Sequence, residues 1–330
     1  MKLSVLDQSV IRKGGNASEA LQNTLKLAEV TEELGYTRFW TAEHHNSNGM
    51  AGTSPEVLIS AIASRTKRIR VGSGGILLPQ YSPFKVAEDF SVLEALFPNR
   101  IDLGLGRSPG GSPETRLALT DGLRKSMNEF PRQVRDLQDF LGESVPEGHP
   151  YHGVTAYPMT ETKPEMWVLG VTHRGARVAA ENGTAFTFGH FIHPDNGKDS
   201  LTYYYEHFLP SPLLKNPLAN VCIFIVCAPT LEKAEELALS QDLWLLSVEQ
   251  GKDTRIPTTV EAKGAVLTEN ERKRIQENRK RMLIGTPEMV KEGLFKLSET
   301  YQTDEFLILT NVYSFKDKVR SYQLLAEKIL

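Results

Sequence analysis

An acid and two adjacent histidines, Glu43, His44 and His45, stand in the stretch FWTAEHHNSNG (39–49). The apolar residues before them read as a buried strand, and the Asn, Ser and Gly after them as a surface loop, so all three belong to the rim of a sheet. An imidazole titrates near neutral pH, with an ordinary pKa of about 6.5, which suits His44 to moving protons. Neighbouring side chains leave a strand end in opposite directions. EHH is therefore a poor metal site, and only one of its histidines faces inward; the expected orientation is His44 in and His45 out. The plain alternative is a hydrogen-bonded surface histidine, with Glu43 pairing either an imidazole or a surface lysine.

Three further stretches hold residues of the same interest. In IRVGSGGILL, Gly74 and Gly75 leave a β-rich run without side chains, the mark of a bulge or of a close approach by other atoms. In RIDLGLGRSPGG, Arg107 follows a strand directly, and a guanidinium is a permanent, bidentate partner for an anion. In MWVLGVTHRGA, a glycine and Thr172 precede a helix starting at His173, and free N–H groups at a helix start suit a phosphate. Each has a bland reading as packing or solvated charge. Together, an arginine and a helix start converging on one anion, beside a glycine pair that admits a flat ring, describe a flavin mononucleotide site.

The elements that must position these residues alternate along the whole chain. KLSVLD, TRFWTAE, IRVGSGGILL, RIDLGLG, MWVLG, TAFTF, VCIFIVCA and EFLILT are strand candidates, nearly all separated by helical patterns such as 18–35, 55–67, 83–97 and 173–182. Strands separated by helices imply parallel crossovers. Eight such units favour an α/β fold with one closed (β/α)8 barrel, a TIM barrel, spanning 1–330, over an open doubly wound sheet. Neither DQSVIRKGGN nor GLGRSPGG has the G-x-G-x-x-G register that an open dinucleotide-binding sheet requires. Barrel active sites lie at the C-terminal strand ends, which is where all four stretches fall. Segments 108–163 and 251–285 exceed a minimal repeat and read as insertions. The second, rich in Lys, Arg, Glu and Asn, is expected to be a mobile lid.

Composition excludes several classes. The 330 residues are 40% hydrophobic and 24% charged with a net charge of −3, so no global field favours nucleic acid or a membrane surface. There is neither a signal-peptide pattern nor an apolar run long enough to span a bilayer. Cys222 and Cys227, the two cysteines, point to opposite faces of one strand and read as core thiols in a reducing, cytoplasmic setting. No metal site is expected.

The chain resembles the bacterial luciferase-like flavin monooxygenases, (β/α)8 barrels that use reduced FMN and oxygen. The resemblance runs over nearly the whole chain. Its specific part is TAEHHNSNGMAGTSPEVLISAIASRTKRIRVGSGGILLPQYSPFKVAEDFSVLEALFPNRIDLGLGRSPG, supported by WVLGVTHRGARVAAENG, FGHF and GTPEMVKEGLFKLSETYQTDEFLILT. It implies that His44 is catalytic, that Gly74 and Gly75 lie against the isoalloxazine ring on a cis peptide, and that Arg107 grips the phosphate, with further donors from the turn of Thr172, His173, Arg174 and Gly175. It also implies a small organic substrate, O2, a separate flavin reductase supplying reduced FMN, and a homodimer. Val171, Gly175 and Gly106 differ from the light-emitting subunit, where those positions are acidic, Thr and Cys, so the resemblance is to the broad family and not to a light emitter. Two other readings are a deazaflavin-dependent hydride-transfer oxidoreductase and a non-catalytic flavin-binding subunit. Retention of both His44 and Arg107 argues against the latter.

Overall fold

The computed structural model describes every residue except Pro109, in the loop after the fourth strand, and Glu143, in the first insertion. β1 (Lys2–Asp7) leads through α1 (Ala17–Glu33) to β2 (Arg38–Thr41), α2 (Pro55–Arg65), β3 (Arg70–Ser73), α3 (Pro83–Leu96) and β4 (Ile101–Gly106). The first insertion contributes α4 (Pro113–Leu119) and α5 (Phe130–Leu141) before β5 (Glu165–Gly170). Then come α6 (His173–Glu181), β6 (Ala185–Gly189), α7 (Gly197–His207), β7 (Ala219–Cys227) and α8 (Leu231–Glu249). The chain finishes with α9 (Thr259–Gly264), α10 (Glu269–Arg279), β8 (Met282–Gly285), α11 (Pro287–Tyr301), β9 (Glu305–Leu309) and α12 (Phe315–Ile329).

All strand pairings are parallel. β1 to β6 pair in order, β7 joins β6, and β9 lies between β7 and β1, which closes an eight-stranded (β/α)8 barrel. The ninth strand, β8, lies outside that ring: β7 pairs with β6 at 219–222 and with β8 at 224–227. Period-two alternation sorts the strand residues into two cores. Val5, Phe39, Val71, Val168 and Ile308 face the helices, while Leu6, Trp40, Trp167, Phe224 and Leu307 fill the barrel. Both cysteines are buried and free, Cys222 with the inner set and Cys227 with the outer.

The N-terminal end of the barrel is plugged by charge. Buried Arg38 donates to Asp102 at 2.9 Å, Glu165 at 2.6 Å and Glu305 at 2.8 Å. Arg70 adds a second cation to Asp102, and the indole N–H of Trp40 donates to the same carboxylate. This network fixes the register of β2, β3, β4, β5 and β9 at the end away from the candidate chemistry.

Segment 251–285 differs from the expected mobile lid. It folds into α9 and α10, each opened by a capping box (Thr258 with Glu261, Thr268 with Glu271), and into β8. Three of its arginines are anchored to the barrel: Arg274 and Arg281 pair with Glu249, and Arg279 with Asp242, both carboxylates of α8. Isoleucine 256 is buried against the barrel core and bridges Arg12.

Candidate active site

β2, β3, β4 and β5 are consecutive neighbours in the barrel, so the loops leaving their C-terminal ends share one side of its mouth. His44 follows β2, Gly74 and Gly75 follow β3, Arg107 follows β4, and Thr172, His173 and Arg174 follow β5.

The His44 backbone N–H donates to the Gly52 carbonyl at 2.9 Å, closing loop 44–52. Its ring is held with Nδ1 buried and, among the described residues, without a hydrogen-bond partner. Burial, and then the neighbouring His45, push the imidazole pKa down to about 4. A neutral ring at pH 7 can accept a proton at one nitrogen while donating at the other.

His45 shares a hydrogen bond with Glu43 at 2.6 Å. Glu43 is buried, and its carboxylate accepts three donors: the Tyr81 hydroxyl at 2.5 Å and His45 on one oxygen, the Leu77 N–H at 2.8 Å on the other. Burial and this carboxylate raise the Tyr81 pKa, which keeps the phenol a donor. Half-buried Glu56 on α2 is also raised, by burial and by the charges of Glu43 and Asp89.

Loop 44–52 is tied down on its far side. Met50 bridges Val10, Ser47 shares a hydrogen bond with Thr254 at 2.8 Å, and Asn48 accepts from the Thr254 hydroxyl at 2.9 Å. A Cβ on Gly49 would run into the Thr254 carbonyl.

The Gly74–Gly75 peptide is cis. A Cβ on Gly75 would lie 2.7 Å from the Gly104 carbonyl oxygen of β4, and one on Gly74 would collide with Leu6. Side chains are thus excluded by the barrel's own packing. Ile76 continues the contact, donating to Gly104 and accepting from Gly106, which immediately precedes Arg107.

Arg107 is half-buried and has no ion-pair partner among the described residues. Gly106 pairs with Leu169, so Arg107 and the start of α6 leave adjacent strands at the same height. Thr172 occupies the N-cap of α6, but its hydroxyl makes no capping bond. The first turn is exposed and holds no acidic residue. Gly175 packs its backbone on Gly170, where a Cβ would approach to 2.9 Å, which accounts for glycine at that position. The His173 ring packs on Tyr203 of α7, 3.9 Å centroid to centroid. Arg174 is exposed.

Sequence reasoning missed Tyr81, Leu77 and Thr254. PQYSPF and KDTRIP carry no motif, and each acts through a partner 34 to 207 positions away. His190, at the end of β6, bonds Tyr301 of α11 at 2.8 Å. Burial lowers its pKa to about 4. Among the described residues no group of three or more His, Cys, Asp or Glu could hold a metal ion, and no helix is long and apolar enough to cross a membrane.

The strand ends on one side of the mouth thus carry polar groups that are unengaged among the described residues: the Arg107 guanidinium, the start of α6 and Nδ1 of His44. Comparison with known proteins gives this arrangement a context. Residues 1–303 match the profile of the luciferase-like monooxygenases. The Bacillus subtilis (strain 168) "Uncharacterized protein YceB" is 53% identical over 99% of this chain and 99% of its own. The N-acetyl-S-alkylcysteine monooxygenase of the same organism is 36% identical over 100% of this chain and 98% of its own. The crystal structure of apo-MsnO8 superposes with a TM-score of 0.89 at 32% identity, covering 99% of this chain and 98% of that one. Two more distant structures share the fold. They are the FMN complex of the oxygenating constituent of 3,6-diketocamphane monooxygenase (TM-score 0.68, 19% identity, 100% and 98% covered) and an F420-dependent secondary alcohol dehydrogenase (0.63, 14%, 99% and 98%). The chain belongs to the luciferase-like monooxygenase family and is, as an enzyme, a flavin-dependent monooxygenase.

Proposed function

We propose that the protein uses reduced FMN and O2 to oxygenate a small organic substrate. The observation that carries this reading is Arg107, unpaired beside the uncapped start of α6. Bidentate guanidinium donors, the Thr172 hydroxyl and the backbone N–H groups of His173 and Arg174 match the oxygens of a flavin phosphate. The Arg174 side chain adds a second cation at the rim. Gly74 and Gly75 give the flat ring a wall without side chains.

Reduced FMN, when bound, supplies the electrons that activate O2. The chain's own part is to bind, orient, exclude water and manage protons. His44 is the catalytic residue in this reading. Its neutral ring carries a buried nitrogen free to exchange a proton with the reacting partners, and burial keeps it neutral above about pH 4. The barrel interior below, filled by Trp40, Trp167 and Phe224, keeps water from reaching the site from beneath.

A diffusing reduced flavin implies a transient flavin reductase as partner, and the reading includes a cytoplasmic homodimer. N-acetyl-S-alkylcysteines are the first substrates to assay, because a full-length relative carries that name. The test is anaerobic titration of the purified chain with reduced FMN and, separately, reduced F420, followed by O2. Binding of reduced FMN and oxygen consumption coupled to oxygenated product support the reading. Binding of F420 alone, with hydride transfer and no oxygen uptake, overturns it.

A further inference from the structure

We infer that Glu43 is the positioning residue of the site: its buried carboxylate locks the β2 loop, which bears His44, to the β3 loop, which bears Gly74 and Gly75. One oxygen takes the Leu77 N–H at 2.8 Å, and the other takes Tyr81 at 2.5 Å and His45 at 2.6 Å. Three donors converge on one buried carboxylate, and each removed partner would leave a buried polar group unsatisfied.

The lock reaches further than its own contacts. Leu77 is followed by a 3-10 turn at Leu78–Gln80, whose end carries Tyr81, so the carboxylate grips both ends of one short segment. The residue before Leu77, Ile76, bonds Gly104 and Gly106 of β4 at 2.8 and 2.7 Å. The turn after β3 is therefore held between Glu43 on one side and β4 on the other, one residue short of Arg107. On the β2 side, His45 is turned onto Glu43, while Nδ1 of the adjacent His44 is buried and, among the described residues, makes no hydrogen bond. One carboxylate thus fixes the orientation of His45, next to His44, and the position of the glycine wall together.

This inference rests on the flavin reading for its effect on FMN, and its test separates the two. The amide of Leu77 is followed by hydrogen–deuterium exchange without flavin, and bound FMN by visible circular dichroism, in the wild type, Glu43→Gln and Tyr81→Phe. In the wild type the Leu77 amide is expected to be protected although it lies outside regular structure. Glu43→Gln is expected to speed its exchange by about ten- to a hundredfold, the equivalent of one buried donor left unsatisfied. The same variant should weaken FMN binding and alter the visible circular dichroism of what binds. Tyr81→Phe, which keeps the Leu77 bond, should leave that exchange nearly unchanged. Ser4→Ala, which removes a hydrogen bond to Glu305 at the opposite end of the barrel, should lower stability without touching the flavin spectrum. An unprotected Leu77 amide in the wild type, or a Glu43→Gln variant with wild-type exchange and flavin spectrum, overturns the inference. Failure of the wild type to bind FMN would instead remove the flavin reading, while the Leu77 exchange still decides whether Glu43 locks the two loops.

Discussion

The hydroxyl of Thr254 lies 3.0 Å from the backbone nitrogen of Gly49 and accepts its N–H, while the Thr254 carbonyl receives the indole N–H of Trp244 at 2.9 Å. One residue of the second insertion thereby links the loop of His44 to α8. Thr254→Val keeps the volume and removes the hydroxyl's bonds to Ser47, Asn48 and Gly49. We expect a loss of about 1–2 kcal/mol in urea unfolding and faster amide exchange confined to loop 44–52. Unchanged exchange in that loop would show that the strap does not hold it.

The charged plug at the other end of the barrel concerns stability alone. Arg38→Met leaves Glu165 and Glu305 without their cation and Asp102 with Arg70 alone. Breaking one side of a buried ion network costs about 3–5 kcal/mol, which thermal and chemical denaturation would register. FMN affinity of the remaining folded fraction should stay at the wild-type value.

Two histidines, buried His190 and half-buried His44, set a pH dependence. His44 and His190 have folded-state pKa values near 4, below the ordinary value of 6.5, chiefly because burial disfavours the charged ring. Each neutral ring's contribution to stability is complete above about pH 6.5 and is lost as pH falls through about 4, where the unfolded chain holds the extra protons. The loss is on the order of 2–3 kcal/mol per histidine. Urea midpoints should fall from pH 6.5 to 4, and His190→Phe should flatten part of that fall. A flat profile in the wild type would contradict the burial argument.

His44→Ala should separate chemistry from binding. The ring's free nitrogen is the group that exchanges protons in our reading, so turnover should fall by about 10²–10⁴, with FMN affinity largely retained. Product formation under saturating reduced FMN and O2 measures it. Undiminished turnover would reduce EHH to a strand cap, with Glu43 and His45 as its hydrogen-bonded core.

Much of this was legible in the chain because parallel barrel strands are buried on both faces and read as apolar runs. Phe39 and Trp40 of β2, the run Val221–Cys227 of β7 and Phe306–Leu309 of β9 carry that mark most clearly. β8, MLIG, directly follows the charged helix α10 inside a Lys-, Arg- and Glu-rich stretch, so it passed as part of an insertion. The charges of α10 suggested a solvated lid because their partners, Asp242 and Glu249, lie on a different element. Glu43 was visible as a residue but not as a hub, since Leu77 and Tyr81 reach it only after β2 and β3 pair. His173 was placed correctly at the helix start, yet nothing local foretold the contact of its ring with Tyr203 of α7.

The central claim is that the strand ends of β4 and β5 hold the phosphate of a flavin. Its most direct test is the dissociation constant of reduced FMN, measured anaerobically for the wild type and Arg107→Ala, with riboflavin as the ligand lacking the phosphate. Losing a charge-assisted bidentate contact should weaken FMN binding by about ten- to a hundredfold, while riboflavin should bind both proteins alike. Equal FMN affinity in the two proteins, or an equal loss for riboflavin, would contradict the assignment of Arg107 to the phosphate.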